Sequence, residues 1–343
     1  MVDLKTKQNN TGLHGAKRAK KDEFYTQLVD IENEMRHYKD LFRDKVVYCN
    51  CDDPEISNFF KYFALNFKHL GLKKLITSCY RNDHPSIRTD GVSDHAVWLK
   101  YTGEHDGGSI PTAANIGVHH FKGDGDFRSD ESIDLLKQAD IVVTNPPFSL
   151  FREYVAQLME YEKDFIILGN LNAITYKEIF PYIKENKLWF GPSISSGDRE
   201  FQVPDTYPLK AAGYRVDDDG NKFIRVKGVR WFTTLDHKRR HDDLVLYKTY
   251  NVDEYPTYDN YNAINVDKTK EIPVDYDGVM GVPITFLDKF SPNQFEIVGS
   301  DFYVNLGYLP ELVNPDWVGK LDRGYLGGRR MYSRILIKKK AGK

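Results

Sequence analysis

Four strand-favouring residues, Ile141, Val142, Val143 and Thr144, run directly into Asn145, two prolines and Phe148. Two successive prolines cannot continue a hydrogen-bonded ladder, so a buried strand has to end at Asn145. Each proline fixes its own φ and restricts the residue before it, which holds Asn145 and Phe148 in a fixed relation. A rigid turn at a strand's carboxyl end is where open α/β sheets place their ligands. The same eight residues therefore constrain the fold and the position of a site.

The flanking sequence extends the pattern. Leu28, Ile31, Met35, Tyr38 and Phe42 recur at spacings of three and four, an amphipathic helix. VVYCNC (46–51) reads as a buried strand, the stretch from Pro54 to Leu70 as a helix through Ile56, Phe59, Phe60, Phe63 and Phe67, and KKLITSCY (73–80) as a second strand. Helix-like DESIDLLKQAD leads into the IVVT strand, and LFREYVAQLMEY and DFIILGN supply the next helix and strand. Strand, helix, strand is the unit of a parallel sheet with crossover helices, so a doubly wound α/β region is expected from about 45 to 170. Short strands are expected at AVWLKY and VHHF, and an antiparallel edge at KLWFG, KFIRV and VRWFTTL.

The ends differ in texture. Residues 1–20 are polar and basic and read as a flexible tail, residues 21–248 as the main domain, and residues 249–343, rich in Tyr, Asp, Asn and Pro, as a smaller α+β module. The formal net charge of -2 gives no chain-wide attraction to nucleic acid, so such binding would need local patches. Two exist: HKRRH at 237–241, and the last 24 residues, where nine Lys and Arg face the single acid Asp322. Within that run GGRRMYSRILIKKK alternates basic and apolar residues, as a strand does with one face packed and the other meeting phosphates; a solvated basic tail reads equally from it. The odd count of three cysteines in apolar runs suits buried thiols in a reducing compartment. No signal-peptide core or membrane-length apolar stretch occurs, and cytoplasmic residence is the expectation.

The Asn145 turn has a chemical reading. An amine conjugated to a heteroaromatic ring is a poor nucleophile because its lone pair is delocalised. The Asn145 side-chain oxygen and the Pro146 carbonyl can accept its hydrogens while Phe148 stacks on the ring. A base within a duplex reaches such a pocket only when flipped out. The histidines between 84 and 120 lack metal-ligand spacing and read as loop residues, so no metal site is expected.

NPPF after a hydrophobic strand resembles motif IV of the S-adenosylmethionine-dependent amino methyltransferases. Together with EFYTQLVDIENE and VVYCNCDDPEISNFF, it looks like the EcoRI-type adenine-specific DNA methyltransferases, from about Lys21 to the end of the chain. The resemblance implies a Rossmann-like methyltransferase domain with a C-terminal recognition region, and a gamma-like motif order. It implies methyl transfer from S-adenosyl-L-methionine to the N6 amine of a flipped adenine in double-stranded DNA, within GAATTC, by a protein acting as a monomer in restriction-modification. Asn145, Pro146 and Phe148 would then be catalytic. Tyr25 and Thr26 resemble motif X, Asp52 and Asp53 follow the strand where motif I sits, and Asp126 in GDGDF matches motif III; these would bind the cofactor. The glycine-rich turn of motif I is replaced by CDDPEISNF, which leaves open which aspartate serves. Asp53 before Pro54 also reads as a helix N-cap, and Asp126 as a plain turn residue. N4-cytosine, RNA amines and protein glutamines are served by similar loops, and a silent nucleic-acid binder could keep the fold. A dinucleotide-dependent dehydrogenase is disfavoured by the lack of GxGxxG.

Overall fold

Val46–Cys49 (β1) is buried along its whole length and Lys74–Arg81 (β2) from Leu75 to Cys79, as strands covered on both faces must be. The computed structural model describes residues 26–81, 92–93, 96–104, 111–203 and 213–342. The expected tail at 1–20, Tyr25, His84, His95 and His105 lie outside the described residues.

Packing divides the chain into two units, one of residues up to 179 with 196–235, the other of 180–195 with 236–343. In the first unit, β2 is followed by the short strands Val92–Ser93 (β3), Val97–Tyr101 (β4) and His119–His120 (β5), then Ile141–Thr144 (β6) and Asp164–Asn170 (β7). Trp189–Phe190 (β8) belongs to the second unit, and Asp198–Val203 (β9), Arg215–Val216 (β10), Lys222–Lys227 (β11) and Val229–Thr233 (β12) return to the first. The main sheet of the first unit runs β5-β4-β2-β1-β6-β7-β12. β2, β1, β6 and β7 are mutually parallel, while β4 and β12 run antiparallel to their neighbours. The expected strands at AVWLKY and VHHF are β4 and β5, and the antiparallel edge at VRWFTTL is β12. KFIRV departs from expectation: it forms β11 in a separate antiparallel sheet, β10-β11-β9.

Helices Leu28–Met35 (α1), Asn58–Leu65 (α2), Phe67–Leu70 (α3), Ala113–Ile116 (α4), Asp130–Gln138 (α5) and Phe151–Glu160 (α6) join these strands. The apolar residues that gave α1 its period, Ile31 and Met35, are fully buried, as are Tyr38 and Phe42 beyond its end. α2 begins four residues after Pro54 because Ser57 caps it, accepting the N–H groups of Phe59 and Phe60. Its Phe59 packs edge-on against Trp231 of β12 at 6.1 Å. α5 starts at Ser129 with Asp130 and Glu131 in the first turn, where the helix dipole favours acids.

The second unit is built on Ile264–Asn265 (β13), Met280–Pro283 (β14), Phe295–Ser300 (β15) and Arg334–Lys339 (β18), ordered β13-β14-β18-β15. Its core gathers Tyr258, Tyr261, Val279, Val304 and Leu336. Tyr325–Leu326 (β16) and Arg329–Arg330 (β17) form a separate hairpin. For Arg334 the phosphate-facing reading of the basic C-terminal run is corrected here. β18 is an inner strand, Arg334 through Ile337 are all buried, and Arg334 donates to Asn265 and Asp267 at 3.3 Å rather than offering charge to phosphate. HKRRH is likewise largely structural. Arg240 lies 3.6 Å over the Trp189 ring and bonds Asp236, Arg239 donates to the Pro192 carbonyl, and His237 meets the Phe190 carbonyl. A charge run shows its sign in sequence but not its burial.

Candidate active site

The chain passes from β1 outward to β2 and returns on the other side of β1 to form β6, so the order reverses between β1 and β6. That switch point leaves a crevice at the carboxyl ends of two adjacent parallel strands. Asp52 and Asp53 follow β1 there, and Asn145 to Phe148 follow β6. Val47 pairs with Ile141 and Tyr48 with Val142, so the two turns leave the sheet side by side.

The two aspartates have different fates. Asp52 is fully buried. Its carboxylate accepts the Ser57 hydroxyl at 2.7 Å and the Thr144 hydroxyl at 2.7 Å. Its N–H donates to the Ser78 carbonyl at 2.9 Å, and its carbonyl accepts the Thr77 hydroxyl at 2.8 Å. Burial pushes its pKa up to about 7, against the two hydroxyls, which favour the ionised form, and with a smaller push from Asp53. Asp52 thus spends its carboxylate joining β1, the cap of α2 and the last residue of β6. Asp53 forms a tight turn, one carboxylate oxygen accepting the Glu55 N–H at 2.9 Å and its carbonyl the Ser57 N–H at 2.8 Å. Ser57 fills the N-cap role that Asp53 was also read for, because the turn from 53 to 57 intervenes before the helix.

Thr26 is fully buried, and its carbonyl accepts the side-chain amide of Asn58 at 2.8 Å, which brings the segment after Tyr25 against the same turn. Asn145 is 4% exposed, Pro146 and Pro147 are buried, and Phe148 is half-buried at the start of a 3-10 turn over Phe148–Leu150. That turn runs into α6, whose Tyr154 donates its hydroxyl to the side-chain oxygen of Asn50 at the end of β1. Tyr154 also meets Phe127 edge-on at 5.1 Å. Asp126, next to Phe127, is held bidentately by Arg128 at 2.8 and 2.7 Å, and Arg128 reaches Glu153 on α6 at 2.8 Å. Thr26, Asp52, Asp53 and Asn145 therefore share one end of the sheet, and Asp126 is tied to the helix that follows the Asn145 turn.

Ser57, Thr144, Asn50 and Tyr154 were not read from the sequence. Ser57 before an apolar helix carries an N-cap signal, but nothing local marks Thr144 as the partner of a residue 92 positions away. A cleft of about 600 Å³ opens beside Gln27, lined by Asp30, Arg199, Glu200 and Arg225 among others. None of Asp53, Asn145 or Phe148 lines it, so it is not the crevice at the switch point.

The family described as adenine-specific methyltransferase EcoRI matches residues 12–340. The chain belongs to this family. Among the relatives of this adenine-specific methyltransferase is the Type II methyltransferase M.EcoRI of Escherichia coli, 55% identical over 84% of this chain and 89% of that protein. Another is M.MgeORF184P of Mycoplasma genitalium, 40% identical over 94% of this chain and 97% of its own. M.MpnI of Mycoplasma pneumoniae is 38% identical over 95% of this chain and 97% of its own. No solved structure matches the methyltransferase chain. Among the described residues no helix is long and apolar enough to cross a membrane.

Proposed function

We propose that the protein methylates the N6 amine of an adenine in double-stranded DNA, within GAATTC, as the modification half of a restriction-modification system. The observation that carries this reading is the side-by-side exit of the Asp52-Asp53 turn and the Asn145-Pro146-Pro147-Phe148 turn from β1 and β6. The residues at that crevice fit S-adenosyl-L-methionine. Asp53 supplies a carboxylate for ribose hydroxyls or an ammonium, Thr26 sits against the same turn, and Tyr25 precedes it. Asp52 is left out of that set because both its oxygens serve the protein's own hydroxyls. Asp126, whose carboxylate is held in place by three donors of Arg128, is assigned to the adenine amino group of the cofactor.

When bound, the cofactor supplies an electrophilic methyl group on positively charged sulfur. The protein's part is orientation. Asn145 and Pro146 accept the two amine hydrogens of the flipped adenine and bring its lone pair out of conjugation, and Phe148 stacks on the ring. The prolines fix these acceptors before the base arrives. Residues from 249 onward are assigned to reading the sequence, and the protein acts as a monomer.

The test is transfer of labelled methyl to a GAATTC duplex and to the same duplex with each adenine replaced in turn. Incorporation lost with one adenine fixes base and position; incorporation only in unrelated DNA would discard GAATTC. Asn145→Ala is expected to lose about 100-fold or more in rate with cofactor affinity kept. An unchanged rate would remove Asn145 from its role.

A further inference from the structure

Four of the nine cations in the basic C-terminal run are engaged within the protein. Arg323 faces Asp301 at 3.5 Å, Arg334 is buried against Asp267, Lys339 reaches the Val274 carbonyl, and Arg330 is clamped by Asp322 at 3.0 and 2.7 Å. Arg329, the neighbour of Arg330, differs. It is exposed, and among the described residues its guanidinium has no recorded hydrogen bond or ion pair.

Arg329 stands on a rigid support. β16 and β17 pair Tyr325 with Arg330 and Leu326 with Arg329, leaving Gly327 and Gly328 as a two-residue loop with φ of 53° and 74°. Two consecutive positive φ values are what a type I′ hairpin turn demands, and glycine meets them without strain. On their Cβ side both glycines face open space, since a Cβ at either would meet nothing within 4 Å. The base is fastened. Fully buried Asn260 accepts the Tyr325 N–H at 3.0 Å and donates to the Arg323 carbonyl at 2.8 Å, while the Asp259 carboxylate accepts the Gly328 N–H at 2.8 Å. The nearby carboxylates are thus engaged, Asp259 by the tip and Asp322 by Arg330 and the Tyr325 hydroxyl. Tyr332, just beyond, is 85% exposed.

A two-stranded ribbon of this width enters the major groove of DNA, and an unengaged arginine fork there matches the O6 and N7 of guanine. We propose that the hairpin over 325–330 enters the major groove and that Arg329 is its specificity-determining residue, reading a guanine of the methylated site. The inference rests on the DNA-methyltransferase reading. In GAATTC the guanines are the outer bases, so Arg329 would read the edge of the site and not the flipped adenine.

The experiment is equilibrium binding of a labelled duplex carrying the methylated site, GAATTC in the reading above, and of the same duplex with 7-deazaguanine for guanine, which lacks N7. Wild-type affinity is expected to fall about 10-fold or more with the analogue. Arg329→Ala should lose a similar factor on the natural duplex and nothing further on the analogue, with an unchanged melting temperature. Arg329→Lys keeps the charge without the fork, and is expected to keep the salt dependence while losing the guanine preference. Equal affinity of wild type and Arg329→Ala would overturn the proposal. So would an equal loss on both duplexes with a lowered salt slope, the mark of a phosphate contact. Methyl transfer on the same duplexes is a separate readout: silent transfer with guanine-dependent binding intact sinks the catalytic reading and keeps this one.

Discussion

The hydroxyl of Thr144 donates to the carboxylate of Asp52 at 2.7 Å, joining the residue before Asn145 to the turn after β1 across 92 positions of sequence. This bond fixes how the two turns of the candidate site face each other. Thr144→Val keeps the shape, removes the donor and leaves a buried oxygen one bond short, at a cost of about 1–3 kcal/mol in stability. Misplacement of the neighbouring Asn145 should lower kcat about 10- to 100-fold while cofactor affinity stays within a few-fold. Thr144→Ser restores the hydroxyl and should recover most of kcat. Loss of cofactor binding in place of kcat would show that the bond serves the cofactor turn alone.

Asp52 gives the protein a pH dependence of definite sign. Its folded pKa is raised from the ordinary 3.8 to about 7, so folding favours the protonated form. Its contribution to stability is therefore full below about pH 4 and is lost as pH rises toward 7, by about 1.4 kcal/mol for each unit traversed. Protonation is accommodated because either hydroxyl partner can turn from donor to acceptor. Melting of wild type and Asp52→Asn from pH 4 to 8 checks this, with the difference between them expected to move against the wild type as pH rises. A constant difference would mean that Asp52 does not titrate there.

Gly169 in β7 is required by packing. A Cβ there would lie 2.5 Å from the Phe151 ring and 2.9 Å from that of Phe232, two rings that are themselves in edge contact at 5.0 Å. Phe151 opens the helix that follows the Asn145 turn. Gly169→Ala is expected to destabilise by about 1–3 kcal/mol, read as a lowered melting temperature. Gly169→Ala with Phe151→Leu should recover part of it.

Arg240 separates structural from phosphate-binding charge. It stacks on Trp189 and bonds Asp236, so Arg240→Ala should lower the melting temperature but leave the slope of DNA affinity against salt unchanged. A slope reduced by about one unit would make it a phosphate contact after all.

The sequence carried the strands and helices of the first unit because they alternate apolar runs with unambiguous stops. Pro146 and Pro147 end β6 where expected, and Ile31, Met35 and Phe59 are buried where their spacing put them. It could not separate Asp52 from Asp53. Neighbouring carboxylates look alike until Ser57 and Thr144 are brought to one of them. Nor could it tell Arg334 from Arg329, since both lie in one basic run and only the inner position of β18 buries the first. KFIRV alternates like an edge strand of the main sheet, but its partners are β9 and β10, a choice made by pairing that no local pattern records.

β6 has β1 on one side and β7 on the other, both in parallel register, so the turn it carries grows from the interior of the sheet. A loop rooted there has no private way to melt, because loosening Thr144 means parting strands that hold the whole first unit. On heating, methyl transfer by the proposed site should vanish at the temperature where the first unit is lost, with no cooler interval of folded but idle first unit. By the proposed function, a first unit that is still folded would still hold the Asn145 turn where the amine must meet it.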